Sequence, residues 1–398
     1  MEYSSSVSLD ISSERGGKHP FYLFLIAFRL FGLNLGGDDG TNSLLNIVSK
    51  LWTFMMFFCY HFWVLFDASW YFRNKVHENA LAESVTVWVA VATFDILIAK
   101  RKIAREFMKI VVAEAFVLSE RARKKHERNI LLTFILVWIF VMIFLAQNII
   151  FNFEKEYNKH HTVSLVGYMS LDLPDAQHVL LLKLDACLEC FFVQGFLTMI
   201  IALYLLLGLS CEKWFQHLKY HCSNNERSSR LHEIKRFCTK FDHLSSHVQL
   251  LDRIFSLPVA VWLLMILVIL CIRIVSILNP FLATTNQMIL VTILSFGRAA
   301  VALIGMNFIA DSIYKKAAKT IFQLDNFIRE ERSALNIIVY QEVLAAFTRF
   351  NFNPTHLTFW KIARLNRGFL MTCVGMMATY VIITIQMYPN AKRGLESM

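Results

Sequence analysis

An all-α membrane bundle of seven spans is the fold class that three observations predict. Its N-terminus is expected in the cytosol, its C-terminus outside, and its inner connections as long helical extensions. The first observation is composition: of 398 residues, 56% are hydrophobic and only 18% charged, with a mean hydropathy of +0.47. Soluble domains carry nearer to a quarter charged residues. The second is clustering: the apolar residues gather in runs long enough to cross a bilayer core roughly 30 Å thick. The third is the alternation of these runs with strongly basic stretches. The runs lack the two-residue alternation of a β-barrel strand.

Residues 1–43 form an N-terminal arm with a Ser-rich stretch, Ser4–Ser13, and an apolar run, Pro20–Leu35, broken by Arg29 and Gly32. That run predicts an interfacial or buried cytosolic segment. No small-residue cleavage site follows it and a polar arm precedes it, unlike a signal peptide. Six spans are expected within 44–309: Leu44–Phe66, Leu81–Ala99, Ile130–Phe151, Ala186–Leu209, Val259–Leu278 and Asn286–Ile309. The connections 100–129 and 210–258 read as helices that leave the membrane. In the first, Ile103, Phe107, Ile110, Val111, Phe116 and Val117 recur at helical spacing among charges. Residues 310–367 predict further inner helices, the last being amphipathic Asn336–Phe352, which Pro354 stops. The apolar faces of these helices need cover, from one another or from neighbouring subunits. The seventh span is Gly368–Tyr388, and 389–398 is a short outer tail.

Charge orients the bundle. The net charge is +10, which could point to nucleic acid, but 31 Lys and Arg lie in the four segments on one side and seven on the other. By the positive-inside rule the rich side is cytosolic. The excess therefore belongs to membrane topology, and no nucleic-acid partner is expected. Lipid is the expected surrounding partner. Of eight cysteines, only Cys187 and Cys190 lie near the outer face, and they share a helix, so no disulfide framework is indicated.

A G-protein-coupled receptor would have the opposite orientation. The third span also lacks an acidic-Arg-aromatic triplet at its inner end, and the seventh lacks Asn-Pro-x-x-Tyr. A metabotropic seven-helix receptor with a cytosolic partner is the alternative reading. A secondary transporter is disfavoured by the odd span count and the lack of a repeat or a broken-helix pair. No Gly-rich phosphate loop or nucleophile–base spacing indicates an enzyme. His217/His221 and His243/His247 have the i,i+4 spacing of zinc ligands. No Glu follows the first His of either pair and no third ligand is adjacent, so no metal or cofactor is expected. His160-His161 lies in the outer loop.

The seventh span carries the most specific signal. At 100° per residue, Thr372, Met376, Thr379, Ile383, Gln386 and Met387 share a broad face, with Tyr380 at its edge. An amide and hydroxyls in hydrocarbon need partners or water. Two readings stay open on the residues alone. The face is glue to another span of the same subunit, or copies from several subunits surround an axis. In the second reading Ile383 and Met387 make apolar rings that gate by dewetting, and Gln386 an amide ring.

With this topology, the outer halves of spans two to six contain Trp88, Gln147, Asn148, Glu189, Gln194, Arg273, Asn286 and Gln287. A small-molecule pocket combines aromatic walls with a few placed polar groups, so these are the candidate ligand-binding residues. Glu189 and Arg273 could pair. Arg298 lies near mid-span and needs a partner, for which Asp95 is too near the inner end.

Thr379-Tyr380, five residues, then Gln386 and an apolar residue, near the end of a final span, resembles the signature of the insect gustatory receptor family. Phe352-Asn353-Pro354-Thr355-His356-Leu357-Thr358-Phe359, then Arg364-Leu365-Asn366-Arg367 and Gly375, is similar to the same family. The resemblance implies a ligand-gated, non-selective cation channel in the plasma membrane of sensory neurons. It implies a homo- or hetero-tetramer of like subunits around one pore, lined by the outer part of the seventh span, with the inner helices as an anchor domain. By position, Tyr380 is the motif tyrosine, Ile383 and Met387 are gate residues, and Gln386 is the polar pore residue. The family usually has Phe where Met387 stands. Its sugar receptors carry an acidic residue where Val381 stands, which points to a bitter or other non-sugar tastant.

Overall fold

The computed structural model of the chain describes residues 21–35, 43–73, 78–117, 120–154, 184, 187–218, 227–278, 286–330, 337–352 and 355–396. The Ser-rich arm, most of the loop between the third and fourth spans with His160-His161, and His221 lie outside the described residues. The helices are α1 (Tyr22–Leu30), α2 (Ser43–Arg73), α3 (Glu78–Ala99), α4 (Arg101–Val117) and α5 (Glu120–Glu154). They continue with α6 (Phe196–His217), α7 (Arg227–Leu278), α8 (Asn286–Glu330), α9 (Ile337–Phe352) and α10 (Arg367–Glu396). A π-helical turn, Cys190–Gly195, leads into α6, and a small hairpin, β1 (Thr358–Phe359) and β2 (Ala363–Arg364), leads into α10.

Among the described residues, six helices are long and apolar enough to cross a membrane. The apolar part of α3, Ser84–Ala99, is the shorter seventh. The expected helical extensions are present. α7 has 52 residues and α8 has 45, so they run about 80 Å and 70 Å at 1.5 Å per residue. Each is more than twice the thickness of the hydrocarbon core. α4 follows α3 across a single turn residue, Lys100, and backbone hydrogen bonds of helical spacing cross the junction.

The core lies where α6, α7 and α8 pack together, with α3 against α7. Trp262 is fully buried there, and its indole N–H donates to Thr93 Oγ1 at 2.8 Å. Gly208 on α6 is what lets α8 come close, since a Cβ there would collide with Ile309. The described part of the Pro20–Leu35 run, residues 21–35, buries one face and leaves Tyr22, Leu23, Ile26 and Leu30 exposed. α1 turns Phe24 and Phe28 inward, and Phe24 packs edge-on to Phe134 of α5. Gly32 then reverses the chain with φ +83°, and a Cβ would lie 2.7 Å from that of Met56.

Pro258 interrupts α7. With no N–H of its own, it leaves Ile254 O without the usual donor four residues on. Lys100 Nζ donates to that carbonyl at 3.2 Å and to Arg253 O at 2.7 Å. Trp360 N–H, from the hairpin turn, donates to Ser256 O at 3.1 Å. The same hairpin is held at Asp252, whose carboxylate accepts from Thr358 N–H at 2.6 Å and from its hydroxyl at 2.9 Å. The connection into the last span is thus fastened to α7 beside Pro258.

Candidate pore helix and ligand site

The sequence fixes α10 firmly at its first turn. Asn366 is an N-cap: its Oδ1 accepts from Phe369 N–H at 2.7 Å. Arg367 Nε lies 3.1 Å from Asp311 Oδ2 on α8, a carboxylate shared with Lys315. The Arg367 guanidinium also stacks 4.9 Å above the Phe308 ring. Phe369 packs on Phe359 of the hairpin, 5.7 Å between ring centres.

Beyond that turn the helix is held by one stripe. Leu370, Cys373, Met377 and Val381 are buried, three or four residues apart, against a bundle in which α10 contacts α7 and α8. Thr372, Met376, Thr379, Tyr380, Ile383 and Gln386 are all exposed. At 100° per residue the polar face and the buried stripe are centred on roughly opposite sides of the helix. The hydroxyls of Thr372, Thr379 and Thr384 donate to Gly368 O, Gly375 O and Tyr380 O of their own helix, at 3.1, 3.0 and 2.9 Å. The polar face is not turned toward its own bundle, as helix glue within one subunit requires. The Met387 side chain lies outside the described residues.

The π turn gathers several of the expected ligand residues. Gln194 is buried, and its Oε1 accepts from Arg298 on α8. Gln194, not Asp95, is therefore a partner for the mid-span arginine; Asp95 meets His61, 3.3 Å away. The Arg298 guanidinium also lies 5.5 Å from the centre of the Phe144 ring on α5. Arg273, buried on α7, is within electrostatic reach of Arg298, and Glu189 within that of Cys190. Glu189, Gln194, Arg273 and Arg298 therefore belong to one neighbourhood. Trp88 is half-buried on α3, which packs on the same π turn. The side chains of Gln147, Asn148, Asn286 and Gln287 lie outside the described residues.

The π turn has a structural cause and a consequence. Its wider winding disturbs the i to i+4 pattern, and the buried Tyr60 hydroxyl donates to Phe192 O at 2.9 Å. It also turns Phe191 and Phe192 toward Phe31, at 5.4 and 6.3 Å between ring centres. Nothing in the residue pattern of Cys190–Gly195 announces this winding. A separate hollow of about 670 Å³ runs along α5, lined by Phe134, Trp138, Met142 and neighbours on that helix alone. It is open and apolar, a surface suited to lipid, and contains none of the expected ligand residues.

This fold and its neighbourhood of buried polar groups define a polytopic helical membrane protein. The fold is that of the insect olfactory receptor OR5 from Machilis hrabei, with a TM-score of 0.59 over 92% of this chain and 97% of that one, at 11% identity. The same receptor in complex with eugenol matches with a TM-score of 0.57, the same identity and the same coverage. No protein-family model and no curated protein matches the sequence.

Proposed function

We propose that the chain is a gustatory, chemosensory receptor that is itself a ligand-gated, non-selective cation channel. Four like subunits, identical or mixed, surround one pore at the plasma membrane of sensory neurons, with the N-terminus cytosolic and the C-terminus outside. The observation that carries this reading is the outward polar face of α10. The Thr372 and Thr379 hydroxyls of that face are met by their own helix, but Gln386 adds an amide that is costly in lipid, and the face is turned away from its own bundle. Copies around an axis give it water. Thr379, Tyr380, Ile383, Gln386 and Met387 then line the conduit, with Ile383 and Met387 as apolar rings and Gln386 as a ring of amides.

The ligand is a small-molecule tastant of non-sugar type, held among Trp88, Gln147, Glu189, Gln194, Arg273 and Asn286. A ligand opens the pore only in so far as it binds the open state more tightly. The route outward from that site is mechanical: α8 carries both Arg298 and Asp311, and Asp311 holds the first turn of α10.

Whole-cell recording of this chain alone, in cells lacking other receptor subunits, against a tastant panel tests the reading. A tastant-evoked cation current is expected, with Gln386→Ala or Gln386→Glu altering selectivity or block. Currents whose permeation is identical in both variants remove Gln386 from the pore.

A further inference from the structure

The structure supplies what the histidine spacing lacked. His243 and His247 lie one turn apart on α7, and Glu114 on α4 comes to the same place. One ligand atom from each lies within 4.8 Å of the other two. This corrects the expectation that no third ligand adjoins the pair; the third ligand comes from 129 residues earlier in the chain.

The three donors approach one another without bonding. Glu114 Oε1 lies 3.9 Å from His243 Nδ1, too far for a hydrogen bond. The two imidazoles stand nearly edge to face, 4.2 Å between ring centres. His247 is only 3% exposed, packs on Trp214, and its Nδ1 is buried with no hydrogen-bond partner among the described residues. A buried polar atom left unmatched is costly.

We infer that Glu114, His243 and His247 form a binding site for a divalent transition cation of the zinc class, clamping α4 to α7. Two nitrogen donors and one carboxylate suit zinc, whereas calcium and magnesium take oxygen sets. Three protein ligands leave a fourth position for water. Zinc bonds of ~2.1 Å place donors ~3.4 Å apart in a tetrahedron, so the donors must close by about 1.4 Å from their widest spacing. His243, whose side chain is 63% exposed, has the freedom to do so, and His247 is the fixed point. The clamp would sit 11 residues before Pro258, on the helix that holds the hairpin into α10. An effect of the clamp on gating rests on the channel reading; the site itself does not.

The test uses the full chain purified in detergent, zinc in competition with a chromophoric chelator, and cobalt as a spectroscopic probe. Wild type is expected to bind one zinc more than Glu114→Gln or His243→Asn, or to bind it at least about tenfold more tightly. Loss of an outer-shell partner alone weakens metal binding about 10–100-fold, and these are direct ligands. The visible cobalt bands of wild type should vanish in both variants. Zinc should also raise the unfolding temperature of wild type, a readout that needs no variant to fold. Equal affinity in all three proteins, or a wild type whose unfolding temperature saturating zinc does not move, overturns the site. Neither readout requires conduction, so failure of the channel reading would leave the result standing.

Discussion

α5 and α10 are both apolar enough to cross a membrane and both lie at the edge of the bundle, yet their outer faces differ in kind. α5 turns out Leu131, Leu132, Ile135, Leu136, Ile139, Met142 and Ile143, an unbroken hydrocarbon surface. α10 turns out Met371, Met376, Ile382 and Ile383, but among them Thr372, Thr379, Tyr380 and Gln386. The first face is what lipid selects. The second is what a surface meets when it needs apolar contact at some heights and water at others. Exposure in a single subunit therefore has two meanings here, and chemistry separates them.

A charge placed on each face should give the widest separation. Leu136→Lys puts an ammonium into lipid, which costs about 2.5–3.5 kcal/mol at the centre of a span. Surface biotinylation should show most of that variant retained inside the cell. Thr379→Lys, facing water, should reach the surface near wild-type levels and reduce cation current. Equal surface loss in both would make the two faces alike.

A smaller effect is expected where the bundle hides charge rather than water. Gln194→Leu leaves Arg298 without its amide acceptor, and a hydrogen bond to a charged group contributes about 1.5–3 kcal/mol. Thermal unfolding in detergent should fall by several degrees, and ligand responses should weaken. A variant as stable as wild type would mean that Arg298 has found water or another acceptor. The mildest expected change is Asn366→Ala, which removes the cap of α10 at about 0.5–2 kcal/mol. Amide hydrogen exchange should rise in residues 367–371 and remain unchanged in α5. Exchange equal to wild type there would show that Arg367 and Phe369 suffice to hold the turn.

Local pattern made the spans, the long inner helices and the polar stripe of α10 legible in the sequence, because each is written in residues three or four apart. Asn366 stands in the sequence only as part of a motif; its cap on Phe369 N–H is seen in the structure. The rest depends on distant partners. Glu114 meets His243 and His247 through the packing of α4 on α7, and Lys100 meets Ile254 O from 154 residues away. The hairpin before α10 was invisible for a different reason. Its turn places Trp360 and Lys361 at φ +48° and +58°, a region normally signalled by Gly or Asn. The π turn at Cys190–Gly195 likewise has no residue signature, so the meeting of Gln194 with Arg298 could be sought but not placed.

The central claim is that the exposed face of α10 is wet and the exposed face of α5 is not. Reaction of single cysteines with a charged, membrane-impermeant thiol reagent in intact cells tests it most directly, with the unmodified chain as the background for its own cysteines. Thr379→Cys, Ile383→Cys and Gln386→Cys should react, fastest at Gln386 toward the outer end, while Ile135→Cys, Ile139→Cys and Met142→Cys stay at background. Background reaction at all three α10 positions, in variants present at the cell surface, would place that face in lipid and contradict the pore.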